Sequence, residues 1–206
     1  MMIIDINDCD LNDDYFHFTN KDNINNILTY GLKPSVGAAS QMVGDYPNVS
    51  VSQGAKGIMG IINSYIYMFA NIQIKNIPET YKIYFSDIKD FCSEKLVGKT
   101  LASRAMIRKL KDEVYFRVIM DKSKLDNAVV GGLTEFDIKI SESIDKEYLN
   151  LVGYNGTVID AYQFVEYIYQ KAKDVDIFRE VNSDFFNLFE DEKITSLQSD
   201  EIGCSR

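Results

Sequence analysis

The sequence predicts an α+β fold, and three observations carry that expectation. Strand-like stretches rich in aromatic and β-branched residues, "YFHF", "NVSVSQG" and above all "EVYFRVIMD", are scattered along the chain. Helical periodicity appears between them, most clearly in the apolar run from Lys56 to Ile74 and in "TVIDAYQFVEYIYQKAKD". The two kinds of segment mix without regular βαβ alternation, which favours α+β over a doubly wound sheet.

The first strand is "YFHF", from Tyr15 to Phe18, after the polar, turn-like run "NDCDLNDD". Asn20 or Asp22 then caps a helix whose apolar residues Ile24, Ile27 and Leu28 share a face. Gly31 followed by Leu32 reads as its left-handed C-terminal cap with the accompanying hydrophobic contact, and Pro34 enforces the stop. Residues 35–46 lack a sustained period and read as a flexible loop. A strand with alternating Val and Ser follows, closed by Gly54. Ile58, Ile61, Ile62, Tyr65, Ile66 and Phe69 then lie at helical spacing, so the next helix is expected to be largely buried.

"TYKIYFSDI" reads as a strand, and "SRAMIRKLKDE" as a helix with Arg104, Arg108 and Lys111 on one side, most simply a solvated face. "EVYFRVIMD" is the clearest strand, "AVVGGLTEFDIKI" a strand broken at Gly131 and Gly132, and the last long helix is expected to begin near Thr157. Residues 1–175 are read as one domain and 176–206 as an acidic extension whose last ten residues are expected to be poorly ordered.

A net charge of −9 argues against general affinity for nucleic acid or anionic membranes, because counterion release needs clustered Lys and Arg. The long apolar helix is too short and too interrupted, by Gly57, Gly60 and Asn63, to read as a membrane span. The N-terminus carries acids where a signal peptide needs a basic region, so a cytoplasmic location is expected. Cys9, Cys92 and Cys204 are widely spaced and accompanied by one histidine, which supports neither a disulfide framework nor a metal site. "GAKGIMG" matches neither a P-loop nor a dinucleotide-binding glycine pattern, and no G-x-S-x-G elbow occurs.

His17 is the only histidine, and two readings of it stand side by side: a packed residue between Phe16 and Phe18, or a ligand contact. The order of pieces bears on this. A strand with "HFT", a capped helix ending "YGLKP", the strand "VSVSQG", a helix, the strand "VYFRVIMDKSKL", then "GGLTEFDIK" and "SIDKEYL" resembles the ADP-ribosyltransferase-like superfamily over roughly residues 15–170. RNA 2′-phosphotransferases share this layout, but holding RNA and its phosphate calls for more basic side chains than surround His17.

The resemblance implies split antiparallel sheets with flanking helices, and NAD as substrate. It implies cleavage of the nicotinamide–ribose bond, with ADP-ribose passed to a macromolecular acceptor or to water. In that arrangement His17 would bond the adenosine-side ribose hydroxyl, with Thr19 beside it; neutral imidazole suits a hydroxyl because it both donates and accepts. Ser50 and Ser52 share a strand face, and Ser52 is preferred as partner of the nicotinamide amide. Tyr65 or Tyr67 would supply a stacking ring. The acid that steadies the oxocarbenium ion is assigned to Glu135, with Asp137 as assistant and Glu113 as the competing candidate. "TEFD" lacks the paired glutamates of the arginine-modifying branch, and His17 stands where that branch carries an arginine. A catalytically silent binding domain of the same fold is the alternative.

Overall fold

The computed structural model describes residues 2–37, 46–85, 98–126, 128–130 and 137–172. The expectations for the loop at 38–45, for Gly131, Gly132 and Glu135, and for the C-terminal extension therefore lie outside the described residues.

The fold is α+β. Eight strands are present among the described residues: β1 (Ile3–Asp5), β2 (Tyr15–Asn20), β3 (Val49–Gln53), β4 (Glu113–Val118), β5 (Val129–Val130), β6 (Asp137–Ile140), β7 (Leu149–Tyr154) and β8 (Thr157–Val158). They form one hydrogen-bonded path in the order β1-β7-β4-β2-β3-β6-β5, with β8 beside β7. All pairings are antiparallel except β1 with β7.

The helices are α1 (Ile24–Tyr30), α2 (Gly54–Asn71), α3 (Glu79–Lys82), α4 (Lys99–Lys111), α5 (Lys122–Asp126) and α6 (Ala161–Ala172). Helices α2, α3, α4 and α6 cover one face of the sheet, where Ile58, Ile62, Phe69, Met106 and Phe164 pack against Phe16 and Tyr115. On the other face Ile27 of α1 and Leu32 join Val49, Val51, Phe116, Ile138, Ile140 and Leu151. Alternation along the strands supplies both cores, since successive side chains point to opposite faces.

The buried helix expected from Lys56 to Ile74 is α2, and its predicted apolar stripe is buried apart from the partly exposed Tyr65. The entry to the first helix differs in one respect from the expectation: Asn20 caps the turn that leads into it, while α1 itself starts after Asn23, which makes no side-chain cap bond. Asn20 Oδ1 accepts from the Asp22 N–H, a 3₁₀ turn over Lys21–Asn23 follows, and α1 ends at Gly31, whose N–H bonds Ile27 O. Gly31 has φ +75°, and a Cβ there would run into the Ile144 carbonyl, which already accepts from Leu32 N–H at 2.8 Å. Gly31→Ala is therefore expected to lower unfolding free energy by on the order of 1–3 kcal/mol in urea denaturation.

Two predicted elements differ. The strand expected over "TYKIYFSDI" is, as far as it is described, the short helix α3 followed by a 3₁₀ turn over Ile83–Phe85. Tyr81, Tyr84 and Phe85 are buried while Ile83 is 65% exposed, a helical i, i+3, i+4 spacing that alternation could not satisfy. The last helix begins at Ala161 and not near Thr157. Residues 154–157 form a tight hairpin in which Asn155 and Gly156 both have positive φ, the backbone that Asn-Gly favours. Asp160 and Gln163 then exchange side-chain bonds with each other's N–H, a reciprocal cap that sets the helix start.

The middle of the sheet positions the candidate site. β2 pairs with β4 along six residues but with β3 at only two pairs, Tyr15 with Gln53 and Phe16 with Ser52. Beyond Phe16 the two strands no longer pair.

Candidate functional site

His17 sits where β2 and β3 part. Phe16 and Phe18 pack on the helix-covered face, so alternation turns His17 to the opposite one, where its cross-strand partner Phe116 lies in the second core. The ring Nδ1 is 2.9 Å from the carbonyl oxygen of Ser50. A carbonyl only accepts, so Nδ1 carries the proton and Nε2 of the neutral ring is an acceptor. The imidazole thus takes the place of a ladder bond at the point where the ladder stops. Thr19, two residues on, shares its face, and Thr19 Oγ1 accepts from Asn23 Nδ2 at 3.0 Å.

Burial pushes the His17 pKa below its usual value, with the Ser50 carbonyl acting in the other direction. In the unfolded chain the imidazole takes up its proton as the pH falls through about 6.5, while the folded chain resists, so the unfolded state binds more protons there. Stability is expected to fall as the pH drops through about 6.5 and to level off below the folded pKa. Unfolding free energies from about pH 7.5 to 5.5 check this: His17→Gln should flatten the slope, and an unchanged slope would exclude His17 as its source.

Ser50 and Ser52 occupy the strand next to His17, but their side chains leave from the other face. Val49 and Val51 fill the core on the His17 side, and Ser52 is paired with Phe16. Ser52 is buried, and Ser50 Oγ donates to Asp137 Oδ1 at 3.1 Å. Asp137, cross-strand partner of Ser52, is itself 2% exposed. The structure thus joins His17 to Ser50 through the serine's backbone and joins Ser50 to Asp137 through its side chain.

The two tyrosines part company. Tyr67 is 68% exposed on α2. The Tyr65 ring lies among Phe18, Phe69 and Tyr81, with centroids 5.9–6.5 Å away, on the helix-covered side. Glu135 precedes the first residue of β6 by two positions in the sequence and lies outside the described residues.

Glu113, the competing candidate for the acid, belongs to a charged cluster on that same side whose lysine was not singled out in the sequence. Lys109 near the end of α4 forms a buried ion pair with Glu113 at the start of β4, an i, i+4 spacing. The Lys109 ammonium lies 4.5 Å from the Phe18 ring centre and 5.3 Å from those of Tyr65 and Tyr81. Burial lowers the lysine's pKa and raises the glutamate's, and each partner opposes the other's shift. Glu113 is thereby committed to Lys109, on the face away from His17. The spacing of "KLKDE" was a visible signal, but its enclosure by aromatic residues from β2, α2 and α3 is a tertiary fact.

A shallow surface cleft is lined by Thr29, Tyr30, Asp145, Lys146 and Glu147, and His17 is not among these residues. No helix among the described residues is long and apolar enough to cross a membrane. Compared with known proteins, the chain matches no family model, no curated protein and no solved structure.

Proposed function

We propose that this chain is an ADP-ribosyltransferase-like enzyme that binds NAD where β2 and β3 part and cleaves its nicotinamide–ribose bond. One observation carries the reading. The strand with His17, the strand with Ser50 and Ser52, and the strand that begins two residues after Glu135 are far apart in sequence yet consecutive in the sheet, as β2, β3 and β6. A site assembled from exactly those three segments is what the order of motifs implies.

In this reading His17 Nε2 accepts the hydroxyl proton of the adenosine-side ribose, a role matched to a ring whose proton is held on Nδ1 by Ser50. The Thr19 hydroxyl, two residues on, offers a second polar contact. The Glu135 carboxylate steadies the positive charge that grows on the other ribose as nicotinamide leaves, and ADP-ribose passes to a macromolecular acceptor or to water.

A second reading, a binding domain without turnover, is favoured by the orientation of Ser50 and Ser52 away from the His17 face and by the packing of the Tyr65 ring against Phe18, Phe69 and Tyr81. Thermal shifts with NAD test what the two readings share. Binding to the native state is expected to raise the melting temperature progressively with NAD concentration, and His17→Ala to weaken that rise while leaving the fold intact. A flat series up to about millimolar NAD would contradict both. Release of free nicotinamide separates them.

A further inference from the structure

We infer that Asp137 is a positioning residue for His17: its carboxylate holds the Ser50 hydroxyl, and the carbonyl of the same serine holds the imidazole proton on Nδ1. The role in a nucleotide site rests on the NAD reading, whereas the effect on the imidazole does not.

Ser50 lies two residues past Ser52, the last residue of β3 paired with β2, on the side where the strands separate, so the ladder to β2 no longer fixes its carbonyl. What holds Ser50 is β6, through its pairing with Lys139 and the diagonal contact of its hydroxyl with Asp137. Ser50 Oγ has one proton and two acceptors in reach, Asp137 Oδ1 at 3.1 Å and Asn48 Oδ1 at 3.4 Å. The nearer acceptor makes the stronger bond. A buried carboxylate needs such donors, and Asp137 is 2% exposed. The connection from Asp137 through Ser50 to His17 crosses three strands with contacts of 3.1 and 2.9 Å. Its consequence is chemical: a fixed carbonyl selects the Nδ1–H tautomer and presents Nε2 as an acceptor.

Because His17 is the only histidine, a long-range ¹H–¹⁵N correlation spectrum of the labelled full chain shows a single folded imidazole. At neutral pH and without NAD, the wild type is expected to show widely separated ring nitrogens with the proton on Nδ1. In Asp137→Asn and Ser50→Ala the two nitrogen signals should move towards each other as the tautomers mix. A wild type in the Nε2–H form, or an unchanged tautomer in both folded variants, overturns the inference. Should Asp137→Asn fail to fold, Ser50→Ala, which removes one hydroxyl and keeps the carbonyl, decides alone. Absence of NAD binding by the wild type would defeat the NAD reading and leave the tautomer result standing.

Discussion

Glu113→Leu is expected to lower the free energy of unfolding by about 3–5 kcal/mol, and Lys109→Met by a similar amount, because each leaves the other charge buried without its partner. Both are almost wholly enclosed, Lys109 at 3% and Glu113 at 6% residue exposure. The faces of Phe18, Tyr65 and Tyr81 offset part of the cost of burying the ammonium but supply no counter-charge. The double variant Lys109→Met, Glu113→Leu should recover most of the loss, since apolar side chains of similar volume fill the same space without desolvating a charge. Urea denaturation of the four proteins gives the coupling directly. Single substitutions costing under about 1 kcal/mol would mean that the pair behaves as a solvated surface bridge.

Local patterns announced the parts of the fold that depend on local chemistry. The Asn20 turn, the Gly31 stop and the apolar stripe of α2 were all legible, because caps, left-handed backbone and helical periodicity are written within a few residues. β1 and β7 were not. The parallel partners Ile3–Asp5 and Leu149–Tyr154 are far apart in the sequence, and β7 is buried on both faces from Leu149 to Gly153, so no alternation marks it. At Tyr81–Phe85 both periods fitted the residues, and packing against α4 chose the helical one. The Asn155-Gly156 turn was a readable hairpin signal hidden inside what looked like the approach to a helix.

The candidate site was legible as an order of segments and not as a set of side chains. Adjacency of β2, β3 and β6 follows the motif order, but the face each residue takes depends on register. The pairing of Phe16 with Ser52 puts Ser50 and Ser52 opposite His17, and no pattern within either strand reveals that register. Likewise the link between His17 and Ser50 runs through a backbone carbonyl, which carries no residue signature. Asp137 was visible only as a neighbour of Glu135, and its contact with Ser50 comes from β3–β6 pairing.

The central claim, cleavage of NAD with help from the Glu135 carboxylate, is tested most directly by nicotinamide release. Glu135→Gln keeps the shape of the side chain and removes its charge, so stabilisation of the oxocarbenium ion should be lost while ground-state binding is largely kept. The wild type is expected to release nicotinamide from NAD, and Glu135→Gln to release it more slowly by on the order of 10²-fold, with NAD affinity little altered. Glu113, held in its ion pair with Lys109, serves as the comparison: Glu113→Gln, assayed as folded protein at a temperature well below its transition, should release nicotinamide at close to the wild-type rate. Wild-type protein that binds NAD without releasing nicotinamide, or Glu135→Gln that turns over at the full wild-type rate, would contradict the account.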